Sequence, residues 1–254
     1  MMGIPESQYE FVFDMTNIIL SQGDPEFVPE GENPLEAFLG AGAALAGLMD
    51  EIADHAEGKE ADDLTHALVN AEIDGDKLTR AELQSFFVLL CAAGNETSRN
   101  SISWGLTFLT ENPDQKALLQ SDLDQHTPGA VEEIVRLASP VIHFRRTVTE
   151  DGVTLGDHVF NEGDKVALFY GSGNRDDSVF DDPYAFDITR ENSNHIGFGG
   201  PGPHFCLGAH LARRQINVLY KEVLTQMPEL HAVGEPDRLR SSFINGIKHL
   251  ECAW

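Results

Sequence analysis

Apolar residues recur at intervals of three and four as far as Pro140, and beyond it the period falls to two. Residues 7–22 and 34–55 read as helices separated by a Gly-, Pro- and Glu-rich break, and a shorter helix is expected over 62–71. The next is the longest. Thr79, with Glu82 three residues on, has the form of a capping box, and Asn112-Pro113 supplies the stop. The roughly 32 residues between them would span about 48 Å at ~1.5 Å each, enough to cross most of a domain. The centre of that helix holds Gly94, which costs about 1 kcal/mol in a helix interior unless the space is needed. Another helix is expected to open at Thr127-Pro128 and run through 137, stopped near Pro140. Short strands follow at 141–149, 153–155, 158–160 and 165–170, then a loop rich in Asp, Asn, Gly and Pro over 171–204. A final long helix is expected from 207 to 227, and 241–254 reads as a closing hairpin. The pattern predicts a mainly α fold with a small, segregated β-sheet.

Composition narrows the class. With 41% hydrophobic residues in 254, the chain can bury a substantial core. Its three cysteines, Cys91, Cys206 and Cys252, are too few and too scattered for a disulfide framework, which favours a reducing compartment, the cytoplasm. The longest apolar run, from Phe86 to Ala93, is far too short to span a bilayer, so no membrane insertion is expected. Seventeen basic residues against 42 acidic ones give a net charge of −25, which argues against nucleic acid as a partner. Residues 1–58 contain no Lys or Arg at all. This acidic excess reads either as a solvated surface or as a field that biases which ligands approach.

The most specific chemistry lies in Phe198-Gly-Gly-Pro-Gly-Pro-His204-Phe-Cys206-Leu-Gly208. A cysteine at the mouth of a helix meets unpaired backbone N–H groups and the helix dipole, and both favour a thiolate. As an axial ligand of haem, a thiolate pushes electron density onto the iron and promotes O–O cleavage. Gly200, Gly202 and Gly208 would let the backbone pass close to a flat macrocycle, and His204 could donate to a propionate. For this loop alone, a structural cysteine in a Gly-rich turn is the alternative.

These residues resemble the cysteine-ligand loop of the cytochrome P-450 family, and Ala209 to Arg213 looks like the start of its proximal helix. One departure is that Phe198 lies one residue further from the cysteine than in the commonest pattern. The longer form is similar to that of actinobacterial members acting on sterols and branched lipids.

The resemblance assigns other residues. It implies haem b as cofactor with Cys206 as its metal ligand, O2 as co-substrate, and Arg146 and His204 as propionate partners. Glu133 and Arg136, in a Glu-x-x-Arg helix over 128–137, would be joined by Arg190 in a structural cluster beneath the haem loop. Ala93-Gly-Asn-Glu96-Thr97 would open a distal groove in the long helix at 79–111, with Glu96 and Thr97 handling the protons that oxygen activation consumes. Asn174-Arg-Asp176 and Asp182-Pro183 match the approach to the haem loop. Ala93, Val141, Ile142, Phe243 and Ile244 fall where related enzymes line the substrate pocket, although periodicity alone makes the last four core residues. Cys91 is expected to be buried packing and Cys252 inert.

The same resemblance sets the organisation. Residues 1–254 would be the C-terminal portion of one P-450 domain, with roof helices over 1–58 and the haem loop and proximal helix over 195–227. Met2-Gly-Ile-Pro5 looks like a segment well inside a P-450, so the N-terminal helices and first strands are expected to be missing. Trp254 looks like a usual C-terminus. The function implied is a monooxygenase hydroxylating an apolar substrate, a sterol or branched lipid, with electrons from a ferredoxin-type donor. Arg213 and Arg214 would form the donor's docking patch or be two ordinary solvated arginines. The alternative function is a non-catalytic haem- or lipid-binding remnant.

Overall fold

Two helices with continuous apolar faces, α1 (Tyr9–Ser21) and α2 (Pro34–Ala56), pack on each other in a computed structural model that describes residues 1–59 and 62–254. Pro34 occupies the first turn of α2, and Asn33 caps it by accepting the Leu35 N–H at 3.0 Å. Ile19 and Leu20 of α1, and Leu45, Met49, Ile52 and Ala53 of α2, are buried. The short α3 (Leu64–Asn70) is capped by Asp63 and packs on α2. A two-stranded ribbon, β1 (Glu72–Ile73) with β2 (Asp76–Lys77), leads into α4 (Arg80–Glu111).

The start of α4 is a reciprocal capping box. The Thr79 N–H donates to Glu82 Oε2 at 2.8 Å, and the Glu82 N–H to Thr79 Oγ1 at 3.3 Å. The helix is 32 residues long. Its residues up to Thr97 belong to one compact unit with 1–96 and 239–241, and the rest to a second unit with 98–238 and 242–254.

In the second unit, α5 (Pro113–Ser121) and α6 (Leu123–Ala138) follow α4, and α6 packs along α8 (Ala209–Gln226). Their shared core contains Leu109, Leu119, Ile134, Ile216, Tyr220 and Leu224. The α6 start differs from the sequence expectation. Asp122 is the cap, accepting the Gln125 N–H at 3.0 Å, and Pro128 lies inside the helix. A proline so near the N-terminus forfeits one hydrogen bond without ending the helix.

Between α6 and α8 lie β3 (His143–Thr147), β4 (Val153–Leu155), β5 (His158–Phe160), β6 (Lys165–Phe169) and the one-turn α7 (Tyr170–Gly173). The chain closes with β7 (His231–Ala232), β8 (Asp237–Arg238), β9 (Ile247–His249) and β10 (Cys252–Ala253). Among the described residues the strands form separate antiparallel pairs: β1 with β2, β3 with β6, β4 with β5, β8 with β9 and β7 with β10. Residues 241–254 therefore do not form a hairpin on themselves. Leu250 and Glu251, the two residues between these strands, include no Gly, Asn or Asp, and neither adopts the positive φ that a two-residue hairpin turn requires. Each instead pairs with an earlier strand, and the Glu251 carbonyl accepts the Val233 N–H at 2.7 Å.

The long connection from α7 to α8 has almost no regular structure, and buried charge holds it. Glu133, 3% exposed, accepts Nε and Nη2 of Arg136, 1% exposed, at 2.7 and 2.8 Å. Arg136 also donates to the carbonyls of Asn174, Pro183 and Ala185. Arg190 donates to Glu133 at 3.3 Å and to the Asp181 carbonyl at 2.6 Å.

Glycines on α4 mark where it is packed and where it is not. A Cβ at Gly105 would collide with the Tyr220 hydroxyl and meet Ile134 Cδ1 at 2.8 Å, whereas one at Gly94 meets no atom within 4 Å. Gly105→Ala is therefore expected to lower stability by about 1–3 kcal/mol despite the better helix propensity of alanine. Gly94→Ala is expected to raise stability by up to about 1 kcal/mol. Urea unfolding of the two variants checks these opposite signs.

Candidate functional site

Cys206 sits two residues before the Gly208 cap of α8 and is exposed. Its N–H donates to the Phe198 carbonyl at 2.9 Å, and its own carbonyl accepts the Ala209 N–H at 3.2 Å. The loop is thus closed on itself by backbone bonds at the point where it enters the helix. Two glycines make its path possible. Gly199 at φ +88° and Gly202 at φ +131° occupy the left-handed region, where a side chain would be strained. Gly199 was not singled out by the sequence pattern. The apolar neighbours Phe205 and Leu207 are 45% and 78% exposed.

The other thiols differ in kind. Burial pushes the Cys91 thiol up to about 12, and burial together with Glu251 raises Cys252. Neither environment favours a thiolate.

Phe198 anchors the loop from below. It packs against the α6–α8 core, with the Arg213 guanidinium 4.3 Å from its ring centre and the His195 ring at 5.7 Å. Both cationic-type side chains converge on Glu132. Arg213 donates Nε to Oε1 at 2.6 Å and Nη2 to Oε2 at 2.9 Å, and His195 Nε2 lies 3.0 Å from Oε2. Burial alone would raise the Glu132 carboxyl, and the hydrogen bonds from His195 and Arg213 overcome it and hold the group at about 2. Arg213 is raised by its bond to Glu132, opposed by burial, with further favourable interactions from the Glu132 charge and Cys206. Arg213 is thus paired with Glu132, while Arg214 is exposed. Neither Glu132 nor His195 stood out in the sequence. The available signal was the doubled acid Glu132-Glu133, which places two carboxylates on adjacent faces of α6.

Above the loop's approach, Asn174 is wholly buried, donates to Ser139 Oγ at 2.9 Å and accepts the Ile196 N–H at 2.7 Å. Val141 bridges Ile244, and the Ile142 N–H donates to the Phe243 carbonyl at 2.8 Å, so the structure brings these four residues together. Ile244 is 1% exposed and belongs to the core of the unit, whereas Val141, Ile142 and Phe243 are half-buried. Arg146 and His204 are exposed, and neither pairs with a carboxylate among the described residues.

In the first unit, Leu89, Ala93 and Thr97 follow one another at four-residue intervals along α4, with Leu89 58% exposed and Ala93 and Gly94 exposed as well. Thr97 Oγ1 donates to the Ala93 carbonyl at 2.7 Å, so its hydroxyl hydrogen is engaged by the helix. Glu96 is buried, at 2% exposure. Asn95 donates to Thr16 Oγ1 at 2.9 Å.

The donor set of the second unit fits haem. It combines an exposed sulfur, an exposed guanidinium and imidazole suited to propionates, and backbone at Gly200, Gly202 and Gly208 where an added Cβ would meet no atom within 4 Å. Among the described residues, no helix is long and apolar enough to cross a membrane.

Comparison with known proteins agrees. The chain is 46% identical over all 254 residues to a methyl-branched lipid omega-hydroxylase of Mycobacterium tuberculosis, and spans 58% of that protein's length. It is 38% identical over 251 residues to a steroid C26-monooxygenase of Rhodococcus jostii, covering 99% of this chain and 51% of the relative. A Mycobacterium marinum cytochrome P-450 in complex with pseudoionone superposes with a TM-score of 0.95 at 42% identity, covering 99% of this chain and 60% of the other. The cytochrome P-450 family profile matches residues 44–241. The chain belongs to the cytochrome P-450 family.

Proposed function

We propose that this chain carries the cysteine-ligand half of a haem-thiolate monooxygenase that hydroxylates a neutral, bulky lipid such as a sterol or branched isoprenoid. The observation that carries it is Cys206: an exposed thiol at the entrance of α8, in a loop whose glycines leave its backbone bare. Haem b, when bound, supplies the reductive activation of O2 on which C–H hydroxylation depends. Cys206 provides the sulfur ligand. Arg146 and His204 bind the propionates, and Phe198, Gly200, Gly202 and Gly208 shape the loop around the ring.

Proton handling is assigned to α4. Glu96 and Thr97 supply a carboxyl and a hydroxyl at consecutive positions of the helix, about 100° apart around its axis, and the Thr97 hydroxyl donates its proton to the Ala93 carbonyl. Passing that proton on requires the hydroxyl to rotate away from the Ala93 carbonyl. Ala93, Val141, Ile142, Phe243 and Ile244 are assigned to the apolar substrate, Ile244 from behind as packing. Residues 1–58 offer no guanidinium or ammonium to pair a carboxylate, so binding energy comes from apolar burial at about 25 cal/mol per Å². The names of the relatives, a branched-lipid hydroxylase and a steroid monooxygenase, support the same substrate class.

Electrons are assigned to a redox partner, a small acidic ferredoxin approaching the exposed Arg214. Three unpaired cysteines suit a reducing compartment, the cytoplasm. One observation favours a second reading, a chain that binds haem or lipid without turnover. The β3–β6 ribbon leaves Phe144, Leu168 and Phe169 between 40% and 57% exposed, an apolar surface that bound haem or lipid would cover without any turnover.

Reduced-minus-CO difference spectroscopy tests the ligation. Cys206→Ala is expected to abolish the thiolate-type spectrum, and Cys91→Ala and Cys252→Ala to retain it; loss in either control overturns the assignment. In protein that turns over, Thr97→Ala is expected to keep haem but lower hydroxylation by about 10²-fold or more, with reducing equivalents appearing as peroxide. Product and peroxide measured per electron pair decide this, and normal coupling removes the relay role.

A further inference from the structure

Two consecutive acids on α6 serve different segments. Glu133 closes the connection between α7 and α8, whereas Glu132 faces the ligand loop and has no part in the chemistry proposed above. Three N–H groups converge on Glu132, two from Arg213 and one from His195. His195 has 2% of its side chain exposed, and both ring nitrogens are used. Its Nδ1 accepts the Gly197 N–H at 3.1 Å, which makes Nε2 the protonated nitrogen, donating to Glu132.

Exposed carboxylate–arginine pairs usually contribute little. This one differs in being bidentate and shared with a buried histidine, at a carboxyl held far below its ordinary range. Between them, Arg213 and His195 grip Phe198, one over the ring at 4.3 Å and one tilted against it at 5.7 Å. Phe198 is the last half-buried aromatic before the exposed stretch 200–208. Its carbonyl takes the Cys206 N–H, so the backbone that presents the sulfur hangs from it.

We propose that Glu132 is a positioning residue for Cys206: by holding Arg213 and His195 against Phe198, it fixes the loop that presents the ligand sulfur. The relevance to haem rests on the ligation proposed above. The effect on the loop does not.

Amide hydrogen exchange read by mass spectrometry separates the two. In the chain without haem, Glu132→Gln keeps the size of the side chain but removes its charge. Exchange across 197–206 is expected to rise about tenfold or more, because charge-assisted bonds are lost. Exchange in α5 and in the Glu133–Arg136 turn should stay within about twofold. Glu132→Asp, which restores the charge, should recover part of the protection. In haem-loaded protein, Glu132→Gln should convert part of the thiolate-type CO spectrum to the form lacking thiolate. Unchanged exchange at 197–206, or an increase spread evenly over the chain, overturns the inference. A wild-type chain that takes up haem without a thiolate-type spectrum strikes the proposed ligation instead, and the exchange result still decides whether Glu132 sets the loop.

Discussion

The carboxylate of Glu133 governs the second unit. A hydrophobic core can order helices through their apolar faces, but the connection from α7 to α8 has neither regular hydrogen bonding nor an apolar period to bury. Its backbone carbonyls at Asn174, Pro183 and Ala185 are instead collected by one guanidinium, Arg136, which is itself held by Glu133. Desolvating such a pair is costly, and well-packed apolar residues would often be as stable. What the ions provide is direction. A planar fork of donors accepts only one arrangement of those carbonyls, so the loop that ends in Cys206 has one path. Breaking one member would leave a buried charge uncompensated, a loss of about 3–5 kcal/mol.

Glu132 repeats the device one residue earlier and on a different segment. The step of one residue turns the side chain by about 100° around α6, so two neighbouring carboxylates reach two loops. Glu133 lies in the interior and binds arginines whose partners are mostly backbone. Glu132 lies nearer the surface, where its cluster is completed by an imidazole and an aromatic ring. Both clusters act on irregular chain beside the same helix, which also buries apolar residues from Ala130 to Ala138.

Much of this was legible from the sequence, where local chemistry determines the outcome. The α4 limits follow from Thr79, Glu82 and Pro113, because a capping box and a proline act on their immediate neighbours. The Cys206 loop was legible for the same reason, since glycines, a cysteine and the following helix are contiguous. Partnerships formed across the chain were not. Arg213 read as a surface cation because Glu132 lies far from it in sequence, and His195 read as one of many loop polar residues. The α6 start was misplaced because a proline reads as a beginning, while Asp122 had already capped the helix. The final strands read as a hairpin because their partners, β7 and β8, are too short to show a period.

Charge gives meaning to what remains unpaired. Acids outnumber bases by 42 to 17, so any cation on this surface meets carboxylates more readily than other cations. Arg80, Arg213 and Lys221 all have acid partners, at 2.5 to 2.6 Å. Arg146 instead turns back to the Arg145 carbonyl and rests 5.8 Å from the centre of the Phe144 ring. Arg145 and Arg214 likewise have no carboxylate partner among the described residues, so what distinguishes Arg146 is its place against an aromatic face. A guanidinium so placed, not neutralised by the protein, is chemically suited to the anionic ligand group proposed for it above. The same comparison separates Arg146 from Arg213: the first has no carboxylate partner among the described residues, the second is paired with Glu132.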